Sequence, residues 1–195
     1  FRRVLFRSLM GYARDQGRQR VLAIYPEGVS GQFGRLAIEQ AAAMNGLGMV
    51  TSDGYALSVE GVTRTAQAAG ATLDAGVDTV FITTDATNAA MPMLLTMLPE
   101  NGLSPEEVQY VALTRLDVRP DLFDLPAAEG TWFTQPDDMA TQAFRDRYAT
   151  EYGNLPHPLA GLAYDGVAAV AALRAEGDGI TTQTLTRPQG FNGAG

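Results

Sequence analysis

Hydrophobic and polar positions fall into repeating blocks, a short apolar run followed by a longer stretch of helical period. "RVLAIYP" (20–26) is a β-branched and aliphatic run closed by Pro26, the pattern of a buried strand. Arg35–Asn45 is Ala-rich, free of helix breakers and stopped by Gly46, which predicts a helix ending on a C′ glycine. "GMVTSDGYAL" (48–57) predicts a strand leading into a turn. Ser58 can cap a helix whose Val59, Val62, Ala66, Ala69 and Leu73 share one face, ended by Gly76. The near-continuous apolar run "VDTVFITT" (77–84) suits a central parallel strand. Residues 88–102 predict a helix with Pro92 either in its first turn or as a kink, and 108–114 a fourth strand. A Pro- and Asp-rich loop (Asp117–Glu129) precedes a short strand at 130–136. Asp137 or Asp138 caps a helix bearing Phe144, Tyr148 and Tyr152 at spacing four, and 158–175 is a last, strongly apolar helix before a polar tail. Such alternation predicts an α/β fold built on an open, doubly wound parallel sheet, with a boundary near 117–129.

Composition narrows the function classes. An apolar fraction of 46% over 195 residues is enough for a sizeable core, and no apolar run approaches the length that spans a bilayer. The net charge is −8, every basic residue is Arg, and these form no patch, which argues against nucleic-acid binding. The absence of Cys removes disulfides, thiolate metal sites and Cys nucleophiles, and is compatible with cytosol and periplasm alike. "FRRVLFRS" (1–8) is cationic and apolar, unlike the rest of the chain, too short for a signal segment and without a cleavage region. It looks like the translation of a sequencing adapter and is set aside from the fold. With the abrupt "GFNGAG" end, it makes the chain read as a fragment cut at both termini.

The candidate chemistry centres on "YPEGVSGQFGRLA" (25–37). Gly28, Gly31 and Gly34 are spaced G-x-x-G-x-x-G, not the G-x-G-x-x-G of a dinucleotide turn; no Lys-Ser/Thr pair follows, and Glu27 would sit beside the phosphates. Only Asp53 could serve as the ribose-binding acid. A turn between strand and helix is the plainer reading. A Rossmann-like nucleotide-binding domain or enzyme using the Gly28–Gly34 loop is the alternative. Ser30, in "GVSGQ", misses the nucleophile-elbow spacing, and the single His157, between two prolines, is a poor base for a triad. One His, no Cys and scattered carboxylates give no metal-ligand spacing. No catalytic residue, metal or cofactor is expected. The Phe144, Tyr148, Tyr152 stripe reads as a helix face against a core, with Trp132 and Phe133 in the same cluster.

Several motifs occur in a fixed order: a strand and then Phe33-Gly34 opening a helix, a strand ending in Thr83-Thr84-Asp85, and F-x-x-x-Y-x-x-x-Y-G-x-x-P (Phe144, Tyr148, Tyr152, Gly153, Pro156). A-Y-D-G-V (Ala163 to Val167) and F-x-G (Phe191, Gly193) close the set. This order resembles the type I periplasmic binding-protein family, in its branched-chain amino-acid receptor branch. The closing "LTRPQGFNGAG" is similar to penicillin-binding-protein activator lipoproteins of the same fold. The resemblance implies two similar α/β lobes with ligand between them. Residues 9–128 would be the second lobe, 129–176 a return of one strand and two helices into the first, and 177–195 a truncated crossover back. An apolar face with Leu159, Leu162, Ala163, Val167 and Val170 would be left partly exposed.

Ligands of open parallel sheets sit beyond the carboxyl ends of the strands. That rule puts Tyr25, Ser30, Phe33, Asp85, Thr87, Asn88, Thr114 and Arg115 at the cleft. Amino-acid receptors commonly carry Tyr where Phe33 stands and an acid near the end of the fourth strand. Here "LTRLD" puts Arg115 foremost, a cation that repels an ammonium and suits an acidic ligand. The resemblance implies a non-enzymatic periplasmic solute-binding protein, either a branched-chain amino-acid or small-solute receptor of an ABC transporter or a penicillin-binding-protein activator. Its partners would be a small, polar, amino acid-like solute or a cell-wall synthase, and an ABC permease. Nucleic acid is not among them, and membrane attachment would come only through a lipid anchor ahead of residue 1.

Overall fold

The computed structural model describes residues 2–84, 90–113, 116, 119–135, 137–157, 160–187, 190, 191 and 193; of residues 2–5 and 30 it describes the backbone alone. The chain divides into two bodies, Phe1–Thr134 and Gln135–Gly195.

The first body is built on five strands, β1 (Arg20–Pro26), β2 (Gly48–Tyr55), β3 (Thr79–Ile82), β4 (Gln109–Ala112) and β5 (Trp132–Phe133). They lie in the order β2-β1-β3-β4-β5 and every pairing is parallel. Four of its helices are α1 (Arg2–Asp15), α2 (Val29–Met44), α3 (Val59–Gly70) and α4 (Ala90–Glu100). The period-2 geometry of a strand sends alternate side chains to opposite faces. Val21, Ala23, Phe81 and Val111 meet α1 and α2 on one side. Leu22, Ile24, Val80, Ile82, Tyr110 and Ala112 meet α3 and α4 on the other. Both faces of β1, β3 and β4 are therefore buried, which is why these strands read as unbroken apolar runs.

Three local devices fix this arrangement. The Asp78 carboxylate, just before β3, accepts the backbone N–H groups of Gln19 (2.7 Å) and Arg20 (3.1 Å) at the entrance of β1. The Ser58 hydroxyl oxygen accepts the Gly61 N–H at 3.0 Å and caps α3. In the β1–β2 pairing Val21 faces Met49 and Leu22 faces Thr51, so Val50 is an extra residue in the outer strand.

Some expectations are corrected. α1 begins at Arg2, within the segment set aside above, and its Phe6, Leu9, Met10 and Ala13, at helical spacing, are buried against α2 and the sheet. Within the strand expected at 130–136, β5 is two residues long and pairs with β4 as the fifth strand of the sheet. α3 ends at Gly70, and Leu73 packs against the core from a short 3-10 turn instead of from the helix face. Pro92 lies in the first turn of α4, where its missing N–H costs no helical hydrogen bond.

The second body contains α5 (Asp138–Tyr152), α6 (Ala160–Glu176) and the single-turn α7 (Thr182–Leu185), the last within the tail expected to be loop. Asp137 caps α5 by accepting the Ala140 N–H at 2.8 Å. α6 is apolar almost all round, yet among its described residues only Leu173 is buried. The aromatic stripe of α5 is a core face at one end only: Phe144 is buried, Tyr148 half-buried and Tyr152 63% exposed. Within the first body the Trp132 ring meets Tyr12 edge-on, with centroids 4.8 Å apart.

Candidate functional site at the carboxyl rim of the sheet

Because all five strands run the same way, their carboxyl ends share one rim, and the order β2-β1-β3-β4-β5 reverses direction between β1 and β3. In sheets of this order the crevice for ligands opens at that switch point. It is flanked by the β1–α2 turn on one side and the end of β3 on the other.

The β1–α2 turn is shorter than the sequence pattern implies. Helix α2 starts at Val29, not Arg35, so Gly31 and Gly34 are helical and only Glu27 and Gly28 separate strand from helix. Gly28 turns the chain at φ 102, ψ 178, a region essentially reserved for glycine. At Gly31 a Cβ would overlap the Pro26 carbonyl, so only glycine lets the first turn of α2 seat on the end of β1. The spacing remains G-x-x-G-x-x-G, and Glu27 stands in the turn itself.

Of the eight predicted cleft residues, two are described with their side chains. Phe33 is 68% exposed, one turn beyond Val29, which is 76% exposed; together they give the rim an apolar wall. Tyr25 is 7% exposed. Its ring fills the space left by two glycines, since a Cβ at Gly31 or Gly54 would stand 3.3 or 3.2 Å from it. It is a packed floor residue, not an open wall. Ser30 lies in the first turn of α2, and its side chain is outside the described residues. Asp85, Thr87, Asn88, Thr114 and Arg115 also lie outside them.

Other residues near the carboxyl ends of β1, β2 and β3 are described. Thr83, half-buried, follows β3 and gives its N–H (2.8 Å) and its hydroxyl (3.3 Å) to the Ile24 carbonyl. The fully buried Tyr55, last residue of β2, donates its hydroxyl to the Thr83 carbonyl at 3.4 Å. Exposed Leu57 and Val59 extend the apolar rim around the start of α3. Glu27 and Arg64 pair at 4.0 Å, both well exposed. Val29, Tyr55 and Leu57 were not singled out by pattern, and Val59, expected on the shared face of α3, is 67% exposed instead. The usable signal was an apolar residue on either side of a cap such as Ser58, where solvent-facing polar residues are the rule. Asp53, half-buried in β2, has its carboxyl pushed above the usual range by burial.

The second body has a groove of about 430 Å³ between α5 and α6, lined by Phe144, Tyr148, Tyr152 and Tyr164. Ring centroids lie 5.1 Å apart for Phe144–Tyr164 and 4.6 Å for Tyr148–Tyr152, and the Arg147 guanidinium stands 5.5 Å over Tyr164. Among the described residues no group of three or more His, Asp or Glu could hold a metal ion, and no helix is long and apolar enough to cross a membrane.

A parallel sheet in this order, with helices on both faces, is an open, doubly wound α/β sheet. The periplasmic binding protein family model matches residues 3–188, and the chain belongs to that family. Among solved structures it is similar to an ABC transporter substrate-binding protein of Desulfitobacterium hafniense in complex with Leu (24% identity, TM-score 0.58, covering 91% of this chain and 50% of that one). It is also similar to a putative branched-chain amino acid ABC transporter protein of Rhodospirillum rubrum (18%, TM-score 0.62, 91% and 51%). A third similar structure is a solute-binding protein of R. palustris in complex with 4-hydroxybenzoate (19%, TM-score 0.59, 90% and 50%). At these identities the likeness is one of fold. The chain spans about half the length of the structures it matches. No curated protein matches it.

Proposed function

We propose that this chain is the solute-gripping lobe of a periplasmic receptor that delivers a small carboxylate with an apolar body to an ABC permease, without covalent chemistry. The observation that carries the reading is family membership over residues 3–188, joined to an exposed Phe33 and Val29 beside the sheet's switch point. An apolar wall takes the body of the solute through burial of about 25 cal/mol per Å². Arg115, which follows β4 in sequence, supplies the charge for a carboxylate. Matched structures bind Leu and 4-hydroxybenzoate, both carboxylates with an apolar body, which supports this class. Their transporter role favours the receptor over the cell-wall-synthase activator.

Isothermal titration calorimetry with benzoate, 4-hydroxybenzoate, L-leucine and phenol tests the proposal. Heat is expected from at least one carboxylate and none from phenol, and Arg115→Ala is expected to weaken binding about tenfold or more, the scale of a charge-assisted hydrogen bond. No heat from any of the three carboxylates overturns it.

A further inference from the structure

We infer that the groove between α5 and α6 is a self-association surface: two copies of the chain pair about a two-fold axis across it, with Arg147 of each copy set against Glu151 of the other. Such pairing is separate from solute binding and does not rest on it.

Helix α6 carries three charged side chains, Asp165, Arg174 and Glu176, in 17 residues. A helix apolar on nearly every side belongs in an interior. Yet Leu162, Tyr164 and Val167 are exposed, Val167 at 71%. Ala160, Ala163 and Tyr164 line the groove, and Val167 follows them at helical spacing, so the apolar stripe runs out of the groove along α6. The opposite wall is Phe144, Tyr148 and Tyr152 of α5, of which the last is the most exposed. Covering such a surface gains about 25 cal/mol per Å² of apolar area removed from water. A contiguous apolar patch edged by charge is the mark of an interaction site.

The charges on the groove select its occupant. Arg147 and Glu151 both line it, both are exposed, and they stand four residues apart on α5. They do not pair with each other. A cation ahead of an anion at this spacing is the weaker order on a helix. The Arg147 guanidinium instead lies over the Tyr164 ring, and its Nε–H donates to the Ala143 carbonyl at 3.3 Å. Glu151 has no ion pair among the described residues. A partner that fits is apolar, with an anion for Arg147 and a cation for Glu151 at matching separation. The groove itself meets that description. Where two α5 helices cross antiparallel, with the axis midway between positions 147 and 151, each Arg147 faces the other copy's Glu151. That is the self-complementarity of an isologous interface. Tyr148 then lies beside the axis, and Tyr and Arg are the residue types that anchor the centres of interfaces.

Sedimentation equilibrium of the 195-residue chain, monomer mass 20.8 kDa, over a range of concentrations tests the pairing. A reversible monomer–dimer equilibrium is expected. Arg147→Glu and Glu151→Arg each bring like charges together twice, because the axis repeats the contact, and each is expected to weaken the dimer about tenfold or more. Mixing these two variants in equal amounts is expected to restore the dimer, since both contacts of the mixed pair then join opposite charges. Both residues are exposed, so circular dichroism and melting temperature of the single variants are expected to match the wild-type monomer. Val167→Asp, which sets a charge in the apolar stripe, is expected to leave the chain monomeric. A wild-type chain that stays monomeric at every concentration, or assembles beyond a dimer, overturns the inference. A monomer that also binds the dye ANS, with the signal lost in Val167→Asp, overturns it in favour of a different occupant of the same face. A dimer that both charge reversals leave unchanged, or that mixing fails to restore, overturns the pairing of Arg147 with Glu151.

Discussion

Gly31 is the residue on which the rim's geometry turns. Replacing it by Ala drives a Cβ into the Pro26 carbonyl, so Gly31→Ala is expected to cost at least about 2 kcal/mol, measured by urea unfolding, with loss of rim structure first. Gly28→Ala, at φ 102, is expected to cost about 1–3 kcal/mol through backbone strain alone. Tyr110 and Asp53 give pH-dependent outcomes of known sign. Burial holds the Tyr110 phenol above its ordinary range, so the folded state keeps a proton that the unfolded state releases near pH 10. Stability is therefore expected to fall as pH rises past about 10, and Tyr110→Phe to flatten that slope in alkaline melts. Burial likewise raises the Asp53 carboxyl, so its ionisation on going from acid to neutral pH opposes folding. Asp53→Asn should raise the melting temperature at neutral pH and change it little near pH 3.

At the scale of the element, the strands were legible because both faces of β1 and β3 are buried, which leaves a nearly continuous apolar run to read. The capping of α3 by Ser58 and of α5 by Asp137 was legible for a local reason, a side chain bonding its own helix. The start of α2 was not, because three glycines look like a loop until the Pro26 carbonyl is seen pressing on Gly31. The burial of Tyr25 was hidden likewise, since its partners Gly31 and Gly54 are brought together only by the sheet. Phe33 was legible as an exposed wall through its place beyond a strand end. The Phe144–Tyr152 stripe was half legible: periodicity reports a shared face, not what covers it. Asp78 was missed for being an ordinary acid in a loop, yet it joins the entrances of β1 and β3. Asp78→Ala leaves two N–H groups without that acceptor and is expected to cost about 1–3 kcal/mol by denaturant titration.

Across the whole molecule, protection follows from the order of the strands. β1 and β3 are paired on both sides and buried on both faces, while β2 and the two-residue β5 form the edges. Native-state hydrogen exchange is expected to find the slowest amides in β1 and β3 and to open β5 first. Uniform exchange across the five strands would contradict this layering. The second body contributes an aromatic groove and the almost wholly apolar α6, and among its described residues the regular elements are helices.

The extra residue at Val50 bears on the company this lobe keeps with its own kind. An eight-residue outer strand has a neighbouring strand on one side only, and such an edge is the template from which fibrils grow. One surplus residue throws that edge out of step, so an approaching strand meets donors and acceptors at the wrong intervals. A second copy of the chain is thereby denied a matching edge to build on.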